Sequence, residues 1–357
     1  MSTRHIRRRL VVLGLVAVSL AAGLPAAAQT KSALLVVLRN GPGSGQIAVV
    51  DPATMQIVAR IHTGEDPHGV AVSADGRMAF TANTANDPSE SVSVVDVVAR
   101  KEVRRLDFPK SRPHDIQVAR GMAFFTAGGR NAIGRHDPVR NQTDWLSTGS
   151  YGTRMMAIDE ARDTIYATSQ SSKSVLILEG ISKAPSDVKL TVVPLGVAGE
   201  GIAVSPDGRE VWTANNDKSG VSIVDVATKK VVTLPLATDH ANRIAISPDG
   251  RLALLLDREI GELIVFDVAS RKEVKRMRPP GAYPGDLMGL GDIAIASNSS
   301  HAYVTVQDMD DKGSRSEARQ VVGGYHYVAA INLKTLEIDG TVRTDIPGDE
   351  LTWADMK

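Results

Sequence analysis

"VSPDGREVWTANN" (Val204–Asn216) has a near-copy at "VSADGRMAFTAN" (Val72–Asn83) and a partial one at "ISPDGRLALLL" (Ile246–Leu256). The phrase reads as strand, turn, strand. "GVAVS" (Gly69–Ser73) alternates apolar and small residues with period two, as a buried strand does. In "SPDGR" the proline presets one backbone angle, the aspartate can bond the backbone two residues on, and the glycine accepts a left-handed conformation. "EVWTAN" is the returning strand, "GVSIVDV" (Gly220–Val226) a third and "KVVTLPL" (Lys230–Leu236) a fourth, with a capped turn at "DVATKK" between the last two. Four short antiparallel strands in about 40 residues, repeated, are the signature of a propeller blade. No stretch after the N-terminus reads as an amphipathic helix.

With the start of the first strand as a ruler, the unit begins near His68, His114, Arg154, Glu200, Asn242 and Gly291, at spacings of 46, 40, 46, 42 and 49 residues. The copies at His114 and Arg154 keep the strand rhythm but lose the proline turn. "DELTWAD" (Asp349–Asp355) matches "HGVAVSAD", and the given sequence stops two residues later. Near the N-terminus, "ALLVVL", "GQIAVVD" and "QIVARIH" supply a second, third and fourth strand without a first. The C-terminal strand is therefore expected to complete the N-terminal blade. The fold class is all-β: a seven-bladed β-propeller of four-stranded antiparallel blades, closed so that no sheet edge is left to aggregate.

Residues 1–28 read as a cleaved signal peptide: four arginines, an apolar run from Leu10 to Leu24, then Ala26-Ala27-Ala28 before Gln29. The run is shorter than the roughly 20 residues of a spanning helix, so no membrane span is expected after cleavage. The propeller domain takes residues 29–357. There is no cysteine, which excludes disulfides, a thiol nucleophile, an iron–sulfur cluster and covalent haem attachment. Without the four signal-peptide arginines, 41 basic residues become 37 against 41 acidic ones, a formal charge of −4. That balance does not suit a protein whose main work is gripping phosphate backbones.

"HGVAVSADGRMAFTAN", "GIAVSPDGREVWTANN" and "SVSVVDVVARKEV" resemble the YVTN-repeat β-propellers, with "FTAN" and "WTAN" standing where that family writes Tyr-Val-Thr-Asn. The resemblance covers nearly the whole mature chain and implies the fold and a bacterial periplasmic setting. It does not carry one chemistry. Relatives include lactonase-like proteins, amine dehydrogenase heavy chains and haem d1 domains of nitrite reductases.

Alternating strands put the starts of the inner strands and the second-to-third loops on one face, here called the loop face. The Ser-Pro-Asp-Gly and Asp-x-x-Thr turns occupy the opposite, turn face and read as structural. At the loop-face mouth of the central channel the inner strands open with His68, His114, Arg154, Glu200, Asn242, Asp292 and Asp349, with Glu350 beside the last. These are the candidate ligand-binding residues. His68 and His114 are candidate metal or haem ligands, since neutral imidazole is a common one. Glu200, Asp349 and Glu350 are candidate acids, bases or calcium ligands. The insertion Asp308–Tyr327 could lay Tyr325 and His326 over the pocket. The clusters Arg100–Arg105 and Arg271–Arg278 fall on the rim, where a solvated edge explains them; few aromatics accompany them to stack bases.

The expected function is an exported, periplasmic, monomeric binding or scaffold protein for a small ligand or a protein partner. The alternatives are a lactonase-like hydrolase or oxidoreductase subunit with a metal in the channel mouth, a haem or metal carrier, and, weakest, a binder of single-stranded nucleic acid. No motif indicates a cofactor, though a metal ion or haem d1 is compatible with the resemblance.

Overall fold

The repeated turn is built alike three times. In Ser205–Glu210, Ser205 Oγ donates to Asp207 Oδ1 (2.7 Å), the same oxygen accepts the Arg209 amide (3.0 Å), and the Glu210 amide donates to Ser205 Oγ (3.0 Å). Ser73–Asp75 and Ser247–Asp249 repeat the arrangement. Gly76, Gly208 and Gly250 sit at φ of 75°, 65° and 72°, where a side chain would be strained.

The computed structural model describes residues 31–39, 45–85, 88–217, 220–236, 240–258, 260–280, 289–307 and 326–357. The expected signal peptide, Tyr325 and nearly all of the 308–327 insertion lie outside them. Among the described residues are 28 strands in seven four-stranded antiparallel sheets, and no α-helix. None of their helices is long and apolar enough to cross a membrane.

Blade 1 has the order expected from sequence: Gly348–Asp355 pairs with Ser32–Arg39, followed by Gly45–Asp51 and Gln56–Thr63. Trp353 stands opposite Leu34 and Leu351 opposite Val36, so the C-terminal strand closes the ring. The inner strands of blades 2 to 7 are Pro67–Val72, Pro113–Ala119, Thr153–Asp159, Gly199–Val204, Ala241–Ile246 and Leu290–Ile295.

Seven clusters of buried apolar side chains hold the blades, each bridging two neighbouring sheets. The motif explains their packing. Its inner-strand alanine lies opposite the aromatic of the next strand: Ala71 faces Phe80, Ala157 Tyr166, Ala203 Trp212 and Ala294 Tyr303. The small residue leaves room for the large one, and burying each ring contributes roughly 1.5–3 kcal/mol. Trp212 is wholly buried, with its indole N–H donated to Glu210 Oε2 at 2.8 Å.

Candidate functional site

Every inner strand slips register near its loop-face start, for example between Pro113 and Ile116, Gly199 and Ile202, and Ala241 and Arg243. The other four blades do the same. Such a bulge turns two successive residues toward the channel and frees backbone groups that the ladder would have used. Side chains satisfy those groups. In blades 3, 4 and 7 a threonine hydroxyl accepts the inner-strand amide of its own blade and donates to a carbonyl of the next. Thr126 takes the Asp115 amide (3.0 Å) and reaches Arg154 O (2.9 Å); Thr168 takes Met155 (3.2 Å) and reaches Glu200 O (2.8 Å); Thr305 takes Asp292 (2.9 Å) and reaches Asp349 O (2.8 Å). Carboxylates do the rest: the Met156 amide donates to Asp115 Oδ2 at 2.6 Å and the Leu351 amide to Asp292 Oδ2 at 3.4 Å.

The bulge sorts the channel residues into two levels. The outer level holds His68, His114, Arg154, Glu200, Asn242 and Asp349, all anticipated from sequence. Four are buried, His114 at 5%, Glu200 and Asn242 at 2% and Asp349 at 5% exposure, while His68 and Arg154 are partly exposed. They are also mostly paired. Asp349 Oδ2 lies 2.9 Å from both Arg39 Nη1 and His68 Nδ1. Burial alone would raise the Asp349 carboxyl, but His68 and Arg39 outweigh it and hold the group well below the usual range. Glu200 Oε1 accepts Arg154 Nε at 2.9 Å and its other oxygen accepts Gln170. Its own burial is likewise outweighed, by Arg154 and Arg243, and its pKa is lowered.

His68 and His114 meet as stacked rings, 4.6 Å between centroids. Burial, with Arg154 and His68 nearby, pushes the His114 pKa well below that of ordinary histidine and keeps the ring neutral. Both ring nitrogens of His114 are buried without a hydrogen-bond partner, and Arg39 and Arg154 add positive charge nearby. Among the described residues no three His, Cys, Asp or Glu side chains form a group that could hold a metal ion.

The inner level holds Asp115, Arg243, Asp292 and Glu350. Sequence reasoning found Asp292 and Glu350 but set them in the outer ring, and it missed Asp115 and Arg243. Arg243 is the hub, 3% exposed. Its Nη1 donates to Asn242 Oδ1 (3.0 Å) and lies 3.4 Å from Glu200; its Nη2 lies 3.5 Å from Glu350 and its Nε 3.5 Å from Asp292. Nε has no hydrogen-bond partner. Burial disfavours the guanidinium charge, but Glu350, Asp292, Glu200 and Asp349 outweigh that and hold the proton. The carboxyls respond in the opposite sense. Burial drives Asp115 up to about 7, with Asp292 adding to the rise; Asp292 is raised by its own burial, and Glu350 well above the usual range by burial, Asp115 and Asp292.

Beneath this belt, toward the turn face, lies a cavity of about 380 Å³. Asp115, Arg243, Asp292 and Glu350 line its inner end; its wall mixes the aliphatic side chains of Val70, Ile202, Ile244 and Ile293 with the polar ones of Gln117 and Thr352; Ser297 and Asp355 mark the exposed end. The turn face, expected to be purely structural, therefore carries the opening of a pocket. None of His68, His114, Arg154, Glu200, Asn242 and Asp349 lines it.

His326 sits where the third strand of blade 7 begins, its carbonyl accepting the Thr344 amide at 2.8 Å, and is not in the cavity wall. The rim arginines are matched by local partners: Arg105 by Glu102, Arg276 by Glu273 and Glu262, Arg271 by Glu210.

No family model and no curated protein matches the chain. Solved structures do. The periplasmic gluconolactonase of Pseudomonas aeruginosa superimposes with a TM-score of 0.68 at 14% identity, over 91% of this chain and 99% of that one. Hydrazine synthase of Kuenenia stuttgartiensis gives 0.63 at 18%, over 87% and 95%. Apo AztD of Citrobacter koseri gives 0.63 at 10%, over 90% and 98%. The likeness is one of fold. At these identities the seven-bladed β-propeller is common ground, and the chemistry of each relative remains its own.

Proposed function

We propose that the protein is an exported, periplasmic binding protein that takes a small ligand in its central channel, below the Arg243 belt. The observation that carries this reading is the cavity: aliphatic side chains set among polar ones along its wall, ionisable groups converging at its inner end, and a volume within the range of small-molecule sites. The outer level supports it, since its charges are paired among themselves and leave the inner carboxyls to a ligand. Export is supported by the signal-peptide pattern and by a fold shared with a protein described as periplasmic. Soaking crystals with a set of small cationic, anionic and neutral fragments tests the reading. Density between Ile202, Ile244 and Ile293 is expected; fragments bound only elsewhere would refute it.

One observation favours a second reading, a hydrolase of lactone-like esters. Asp115 and Glu350 are carboxyls whose pKa burial raises, Asp115 to about 7 and Glu350 well above the usual range, at the inner end of a pocket, as general acids and bases are. Release of acid from a sugar lactone, above the spontaneous rate and lost in Glu350→Gln, is its test.

A further inference from the structure

The inner end of the cavity is short of positive charge. Asp115, Asp292 and Glu350 meet there, and among the described residues lining the cavity the one cationic side chain is Arg243. That guanidinium is shared with Glu200 across the belt, at 3.4 Å, so it cannot neutralise three carboxylates below. Its contacts to Asp292 and Glu350 are long, 3.5 Å each, and Nε–H donates to nothing although the residue is 97% enclosed by protein, being 3% exposed. Buried donors are seldom left so.

Two of the acids are already committed on one oxygen, Asp115 to the Met156 amide and Asp292 to the Leu351 amide. Both amides are neutral and leave the charge standing. Among the described residues no lysine or histidine lines the cavity to cancel it.

We propose that this pocket selects a small organic cation: a protonated primary amine on an aliphatic or aromatic body, with the ammonium among Asp115, Asp292 and Glu350. The hydrocarbon part lies along Val70, Ile202, Ile244 and Ile293. An oxygen borne near the amine, as in an amino alcohol, accepts the unpaired Arg243 Nε–H. This rests on the channel cavity being the binding site and names the chemical class it takes.

Burial, with repulsion from neighbouring carboxyls, raises the pKa of all three, Asp115 to about 7, so carboxylate charge forms there at the expense of a proton. An incoming ammonium displaces one. The balance is R–NH3⁺ plus protonated cluster giving the ammonium–carboxylate complex plus H⁺, with no covalent change.

The test is calorimetric titration of the full mature chain with n-hexylamine, 1-hexanol and hexanoate, which share a body and differ in the head group. The amine is expected to bind at least tenfold more tightly than the alcohol, hexanoate weakest of all. At pH 7 the heat should vary with the ionisation enthalpy of the buffer in the direction of proton release. Glu350→Gln and Asp292→Asn should each weaken the amine at least tenfold and leave hexanol unchanged. Thr352→Lys, on the cavity wall two residues from Glu350, should supply a tethered ammonium and abolish amine binding while the protein stays folded. Equal affinity for amine and alcohol, or a preference for hexanoate, would overturn the cationic class and leave the cavity reading standing. Binding of none of the three, together with an empty channel in the fragment soak, would remove both.

Discussion

Arg39 Nη1 lies 2.9 Å from Asp349 Oδ2, a contact between residues 310 positions apart that ties the second strand of blade 1 to the strand closing the ring. His68, from blade 2, reaches the same oxygen. Asp349→Asn leaves the mostly buried Arg39 guanidinium with the more exposed Asp66 carboxylate as its remaining charged partner, at an expected cost of about 1–3 kcal/mol.

The pH dependence of that contribution has a definite sign. The Asp349 pKa is depressed in the folded state. Its stabilisation is therefore complete above the unfolded value, about 3.9, and is lost as pH falls below that through the folded value. Chemical denaturation between pH 5 and 2 should show a drop in the parent protein that is shallower in Asp349→Asn.

Asp115 acts in the reverse direction. Its folded pKa is raised to about 7. From about pH 4 to 7 the unfolded chain releases this proton while the folded chain keeps it, so stability falls as pH rises through that window. Asp115→Asn, whose amide oxygen can still accept the Met156 N–H, should flatten the fall. Unfolding curves that stay parallel for the two proteins between pH 4 and 7 would contradict the assignment.

The threonines of the second strands separate bridging from mere burial. Thr126→Val and Thr168→Val each strip a hydroxyl that pairs two backbone groups across adjacent blades, at an expected cost of about 1–3 kcal/mol. Thr81 is equally buried, but its hydroxyl has no partner. Thr81→Val should therefore be neutral or slightly stabilising. Urea melts of the three variants give the comparison.

The blade count was legible because three repeats spell a turn with its own hydrogen-bond logic, whose bonds Ser205 and Asp207 form as their spacing implies, and the others keep its strand rhythm; the closure was legible because the N-terminal blade lacks a first strand and the C-terminus supplies one. The outer level was legible for the same reason: His68, His114 and Glu200 hold one ruler position. Asp115 and Arg243 stand one place further on. A regular strand turns that place away from its neighbour, and only the bulge brings both into the channel. A hint was present, since "HD", "NR" and "DE" write two polar residues in succession where other copies write "HG" and "EG". Arg39 was missed because it ends a second strand, and nothing in a linear repeat says that such an end turns inward. The pocket's position on the turn face follows from how the outer charges pair with one another, which residue identity alone does not state.

The most direct measurement is a crystal structure of the mature protein grown with 4-bromobenzylamine, with data collected at the bromine edge. An anomalous peak inside the channel between Ile202, Ile244 and Ile293, with the amine toward Glu350 and Asp292, is the expected result. Peaks confined to the loop-face mouth or the outer rim, with the channel filled by water alone, would contradict it.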